Sequence, residues 1–152
     1  MDNDDIISTL NDLIETSKDG EEGFKVCSED ASGRHPQLKA MLAERGRECA
    51  AAAAELQELV RNQGGDPETS SSVSGALHRA WTNIRTAITG NDDETVLNEC
   101  ERGEDVAVKV YRKALEKDLP THIRLVVERQ YQGVLRNHDT IKVLRDQVRA
   151  HA

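Results

Sequence analysis

Apolar side chains return along this chain at alternating steps of three and four, the period of a helix with one buried face. Ile6, Leu10, Leu13/Ile14, Ser17, Glu21, Phe24 and Ser28 form the first such stripe and predict a helix from near Asp4 or Asp5 to about Ala31. Ser32-Gly33-Arg34-His35-Pro36 interrupts the pattern with turn-forming residues. A second stripe follows through Leu38, Met41/Leu42, Arg45, Cys49, Ala52, Leu56 and Leu59/Val60, ending before Gly64-Gly65. Its run of alanines from Ala50 to Ala54 predicts a narrow waist, because small side chains let a neighbouring helix come close. After the polar stretch Asp66–Ser72, the residues Val73, Leu77, Ala80/Trp81, Ile84 and Ile88 predict a shorter helix, docked through Trp81 and stopped at Gly90-Asn91. Asp92-Asp93-Glu94 opens another long helix with inner positions Val96, Cys100, Gly103, Ala107, Val110/Tyr111 and Ala114. Beyond a reversal at Pro120, a last helix presents Ile123, Val127, Gln130, Val134, Asn137, Ile141 and Leu144 and is expected to fray past Gln147.

The expected fold is therefore all-α: one domain over residues 1–152, built as two helical hairpins joined by a crossover over 64–91 that contains the shorter helix. The first and third long helices carry similar segments. Leu13-Ile14, Ser17, Gly20-Glu21-Glu22 and Phe24 align at one constant offset with Val96-Leu97, Cys100, Gly103-Glu104-Asp105 and Ala107, so Glu21 and Glu104 hold equivalent places on an inner face.

Charge narrows the partners. A formal charge of −8 opposes nucleic acid and anionic lipid as principal partners, and no apolar run approaches membrane length. The charge is also uneven: residues 1–35 hold ten acids against three bases, and residues 119–152 hold six bases against three acids. The first and last helices are thus expected to complement each other or a second copy in a homo-oligomer. Met1-Asp2-Asn3-Asp4-Asp5 lacks the basic start of a signal or transit peptide. Cys27, Cys49 and Cys100 form no zinc spacing and fall on apolar faces, the pattern of packing thiols in a reducing cytoplasm.

At Leu10-Asn11-Asp12-Leu13-Ile14-Glu15-Thr16 with Asp19-Gly20-Glu21, at Ser74-Gly75-Ala76-Leu77-His78-Arg79-Ala80-Trp81, and at Glu99-Cys100-Glu101-Arg102-Gly103-Glu104-Asp105, the chain resembles the bacterial ferritin-like four-helix-bundle proteins of unknown function, a group seen largely in proteobacteria. The likeness spans roughly residues 8 to 145. It implies the bundle fold, a bacterial cytoplasmic setting and a loose association with stress proteins, and it brings no assigned reaction.

A di-iron centre in such a bundle needs a glutamate from each of two helices and Glu-x-x-His from each of the other two. The residues three before His35, His78, His122, His138 and His151 are Ser32, Gly75, Leu119, Leu135 and Val148, so the second half of that site is missing. The remaining metal reading is a degenerate carboxylate site at Glu21, Glu48, Glu104 and His138, holding iron or manganese in an oxidase or iron-handling protein. Against it stand Arg45 and Gln130, which occupy seam positions where ligands would be needed. Helical rise puts Glu21 and Arg45 roughly 15 Å and 13 Å from the first reversal. A buried polar layer is therefore expected, with Glu21 paired to Arg45 and Glu104 to Gln130, and no catalytic residue or cofactor. The function expected from sequence is non-catalytic binding or assembly, with the metal-dependent oxidase or iron-handling protein as the alternative.

Overall fold

The computed structural model describes residues 1–30, 36–69 and 93–150. Among these residues there is no strand, and four helices account for most of the chain: α1 Asn3–Asp30, α2 Pro36–Asn62, α3 Asp93–Leu115 and α4 Thr121–Ala150. The turn at Ser32-Gly33-Arg34-His35 and the expected short helix with Trp81 lie outside the described residues.

Local chemistry sets the helix ends. Asp2 Oδ1 accepts the Asp5 N–H at 2.8 Å, so α1 starts earlier than its acidic run suggested, with Asp2 as the cap. α2 closes as a Schellman motif. The Gly65 N–H reaches Val60 O at 3.0 Å and the Gly64 N–H reaches Arg61 O at 2.9 Å, with Gly64 at φ +80, where a Cβ would be strained. The carbonyl of Pro120 accepts the N–H groups of Ile123 and Arg124 and launches α4.

α1 packs on α2 and α3, and α4 packs on α3 and α2, so α1 faces α4, and α2 faces α3, across the diagonals of a square. Each adjacent pair is antiparallel: Thr9 meets Lys117 while Cys27 meets Cys100, and Tyr111 meets Gln130 while Glu94 meets Arg149. α2 and α3 consequently run in the same direction, and the chain leaves α2 at one end of the bundle and enters α3 at the other. Residues 66–68 already turn back beside α1, where Asn11 Oδ1 accepts the Glu68 N–H at 2.8 Å and Gln57 Nε2 donates to Glu68 O at 2.9 Å. The diagonal placement also corrects the expectation that the acidic first helix and the basic last helix complement each other. Arg129, Arg145 and Arg149 of α4 instead pair with Glu55 of α2 and with Glu101 and Glu94 of α3. Those last two pairs carry α4 as a helix to Ala150, beyond the expected fraying point at Gln147.

The core is divided. Phe24, Cys27, Leu38, Leu42, Val96, Leu97, Cys100 and Ile141 fill one end, and Ile6, Leu10, Leu13, Ile14, Leu56, Val60, Ile123 and Val127 fill the other. These are the expected inner stripes, and burying them supplies the main drive for folding. Between the two clusters lies a polar level. No helix among the described residues is long and apolar enough to cross a membrane.

Candidate functional site

Each helix brings a small residue to the level between the two apolar clusters: Gly20 on α1, Ala52 on α2, Gly103 and Ala107 on α3, and Gly133 on α4. Small side chains there have two opposite results. Between α1 and α2 they allow intimate contact, since a Cβ on Gly20 would lie 2.9 Å from Cys49 Sγ and one on Gly46 would lie 3.6 Å from Glu21 O. Between α2 and α4 they leave space. A cavity of about 470 Å³ opens there, with Ala51, Ala52, Gly133 and Val134 among its walls and Glu48, Glu55, Arg129 and Arg136 around its mouth. The waist expected from the alanine run is therefore an opening. Gln130 and Arg129 both reach Glu55, and Asn137 reaches Glu48, so long polar side chains span the gap and keep the two backbones apart.

The floor of the cavity is an ion pair. Arg45 Nε donates to Glu104 Oε1 at 2.7 Å, Arg45 Nη2 lies 3.5 Å from Oε2, and the guanidinium stacks on Phe24 with Cζ 5.6 Å from the ring centroid. Glu104 is 1% exposed and Arg45 7%, so neither charge has water in place of its partner. Burial pushes the Glu104 carboxyl above the ordinary range, and the neighbouring guanidinium offsets only part of that rise. For Arg45, burial works against the charge, but Glu104, Cys49 and Glu48 together outweigh it and the guanidinium holds its proton more tightly than usual. Arg45 Nη1 lies 4.0 Å from the exposed Glu48 carboxylate and has no hydrogen bond among the described residues. It is a donor left to the cavity.

Beside the pair runs a relay through all four helices. Ser17 Oγ on α1 lies 3.3 Å from Tyr111 Oη on α3, Tyr111 donates to Gln130 Oε1 on α4 at 2.8 Å, and Gln130 Nε2 donates to Glu55 Oε1 on α2 at 2.8 Å. Because the phenolic proton goes to Gln130, Ser17 is the donor to Tyr111. Burial raises the Tyr111 hydroxyl above its usual range, against the pull of its hydrogen bond to Ser17. Burial also pushes the Cys49 thiol up to about 12, again against a partner, Arg45.

The polar level is where helical rise placed it, but its pairings differ from those expected. Glu21 does not join Arg45: it is half-exposed and lies 3.5 Å from Lys18 Nζ on its own helix. At Gly46 it is the Glu21 backbone that comes close to α2 while its side chain is half-exposed, and the sequence repeat is broken at its most chemical position. Arg45 takes Glu104 instead. Gln130, expected to bond Glu104, serves Tyr111 and Glu55, because it lies on the cavity side of α4 facing α2. Tyr111 and Glu55 were missed by sequence reasoning; a tyrosine on an inner stripe needs a partner for its hydroxyl, and that was the available signal.

The four candidate metal ligands are likewise taken up separately. Glu104 binds Arg45, Glu21 neighbours Lys18, Glu48 is exposed and contacts Asn137, and His138 Nε2 lies 2.5 Å from Asp105 Oδ1. His138 does come together with Glu101 and Asp105, whose ligand atoms lie within 4.8 Å of one another and of the imidazole. Glu101 is already occupied by Arg145, however, and the three residues form part of a ladder of α3–α4 pairs: Glu94–Arg149, Glu101–Arg145 and Asp105–His138. That ladder accounts for them as the seal of the seam.

A family model described as a domain of unknown function (DUF2383) matches residues 5–117, the span that takes in α1 from Asp5 onward, α2 and α3, together with Arg45 and Glu104. No curated protein matches the chain.

Proposed function

The chain belongs to the DUF2383 family, and from the geometry of its own site we propose that it is a ferritin-like binding protein without catalytic activity, which takes a small amphipathic molecule into the cavity between α2 and α4. The observation that carries this reading is a cavity of about 470 Å³ that ends on a buried, hydrogen-bonded ion pair. A volume of that order suits a small organic ligand, and a lining that mixes small apolar residues with as many polar and charged ones suits an amphipathic one. Arg45 Nη1 offers a donor to an acceptor oxygen, and Ala52, Ala107 and Val134 offer apolar surface to the body of the molecule. The charges lining the cavity balance, Arg45, Arg129 and Arg136 against Glu48, Glu55 and Glu104, which favours a ligand of low net charge.

The separation of Glu21, Glu48, Glu104 and His138 supports this reading over that of a metal-dependent oxidase. A metal on Glu104 would have to displace Arg45, the cation that carboxylate already binds. The test is a titration with the naphthalene dye 8-anilinonaphthalene-1-sulfonate, whose fluorescence rises in apolar sites. One saturable site per chain is expected, lost in Ala52→Leu while the far-ultraviolet dichroism and melting temperature stay close to wild type. Undiminished dye binding in that variant would remove the cavity as the site. Stoichiometric iron or manganese in protein purified without chelator, lost on replacing Glu104, would favour the oxidase instead.

A further inference from the structure

Two of the three thiols are in contact although 73 positions separate them: Cys100 Sγ on α3 lies 3.2 Å from Cys27 Sγ on α1. Both side chains are fully buried, and both lie in the apolar cluster at the end of the bundle where α1 finishes and α3 begins. No covalent bond joins the two helices there among the described residues. A disulfide needs its sulfurs at about 2.05 Å, so closure asks for an approach of roughly 1 Å, within reach of small side-chain rotations. The third thiol, Cys49, is different. It lies against Gly20 beside Arg45 at the cavity, where no second sulfur meets it among the described residues.

We propose that Cys27 and Cys100 are a redox modification site, a dithiol that peroxide converts to a reversible disulfide tying α1 to α3. The chemistry closes with one equivalent of hydrogen peroxide. One sulfur attacks a peroxide oxygen, the O–O bond breaks, and the departing hydroxide takes up the thiol proton as water, leaving a sulfenic acid. The second sulfur then attacks the first, the S–O bond breaks, and the hydroxyl leaves with the second thiol proton as another water. Two thiols lose two electrons in total, and one peroxide becomes two waters.

Burial decides how the reaction runs. A charged or bulky oxidant is excluded from an apolar cluster, whereas peroxide is small and uncharged and enters during brief openings of the helix pair. Once the sulfenic acid forms, the neighbouring thiol is already in contact, so closure is intramolecular and outruns further oxidation. The product bridges α1 of the first hairpin to α3 of the second, in addition to the packing that already joins them. This site is independent of ligand binding in the cavity.

The test is peptide mapping of the full chain after exposure to hydrogen peroxide and alkylation of the remaining thiols under denaturing conditions. The titratable thiols are expected to fall from three to one, with a cross-linked peptide containing Cys27 and Cys100 and with Cys49 alkylated. Dithiothreitol should restore all three. Cys27→Ser should abolish the cross-link, and Cys49→Ser should leave it intact. The proposal is overturned if the folded wild-type chain keeps three thiols under conditions that oxidise the guanidinium-unfolded chain. It is equally overturned if the cross-link that forms contains Cys49 or joins two chains.

Discussion

Arg45 and Glu104 meet across the diagonal of the bundle, on helices whose backbones do not pack together, with Arg45 Nε 2.7 Å from Glu104 Oε1. The pair thus spans the interior from the first hairpin to the second. It separates the apolar cluster around Phe24 from the one around Leu10, and it floors the cavity on its way across. A polar contact of this length at this level lets the four helices stand far enough apart to leave a pocket without abandoning a charge.

Breaking that pair from one side should be costly. Arg45→Met is expected to lose roughly 3–5 kcal/mol of unfolding free energy by leaving the Glu104 carboxylate buried and unpaired. The double variant Arg45→Met with Glu104→Leu should recover much of the loss, because no charge is then desolvated. Urea titrations of the wild type, both single variants and the double variant measure the coupling, and additive effects would contradict it.

Tyr111→Phe removes the hydroxyl that joins Ser17 to Gln130 and leaves their polar atoms without that partner. A cost of about 1–3 kcal/mol is expected, in the range for a buried partner left unsatisfied. Thermal melts should show it. A neutral result would mean that water replaces the hydroxyl from the cavity side.

The Cys49 thiol gives an alkaline signature. Its proton is lost near 9.0 in the unfolded chain and only at about 12 in the fold. The native state therefore binds more protons throughout that window, so the contribution is intact below 9.0 and is lost as pH rises towards 12. Unfolding midpoints should fall with pH across the window, and Cys49→Ser should flatten part of that fall. The same elevation predicts slow alkylation by iodoacetamide in the folded protein at mildly alkaline pH, followed by mass spectrometry.

Arg145 and Arg149 hold the end of α4 through Glu101 and Glu94 of α3. Arg145→Ala should expose the last two turns of α4 to exchange. Hydrogen–deuterium exchange is expected to accelerate over residues 142–150 while the segment around Ile123 and Val127, buried in the opposite cluster, keeps its protection.

Sequence alone determined the four long helices, their inner stripes and the level of the polar layer. Apolar spacing marks which face of each helix turns inward, Gly64-Gly65 and Pro120 mark where helices stop and start, and a fixed rise per residue converts position along the chain into height in the bundle. Thus Arg45, Glu104 and Gln130 could be assigned to one level, and the absent Glu-x-x-His motifs could be read directly. Tertiary structure alone decided who meets whom at that level. Partner choice depends on the rotation of each helix about its axis and on which pairs are adjacent or diagonal, and neither is written into a single helix's periodicity. Glu21 stands half-exposed beside Lys18, the diagonal set Arg45 on Glu104, and the antiparallel seam of α1 and α3 brought Cys27 to Cys100. The alanine run shows the same division: its small side chains were plain in the sequence, but whether they admit a helix or leave a cavity depended on the long side chains bridging α2 to α4.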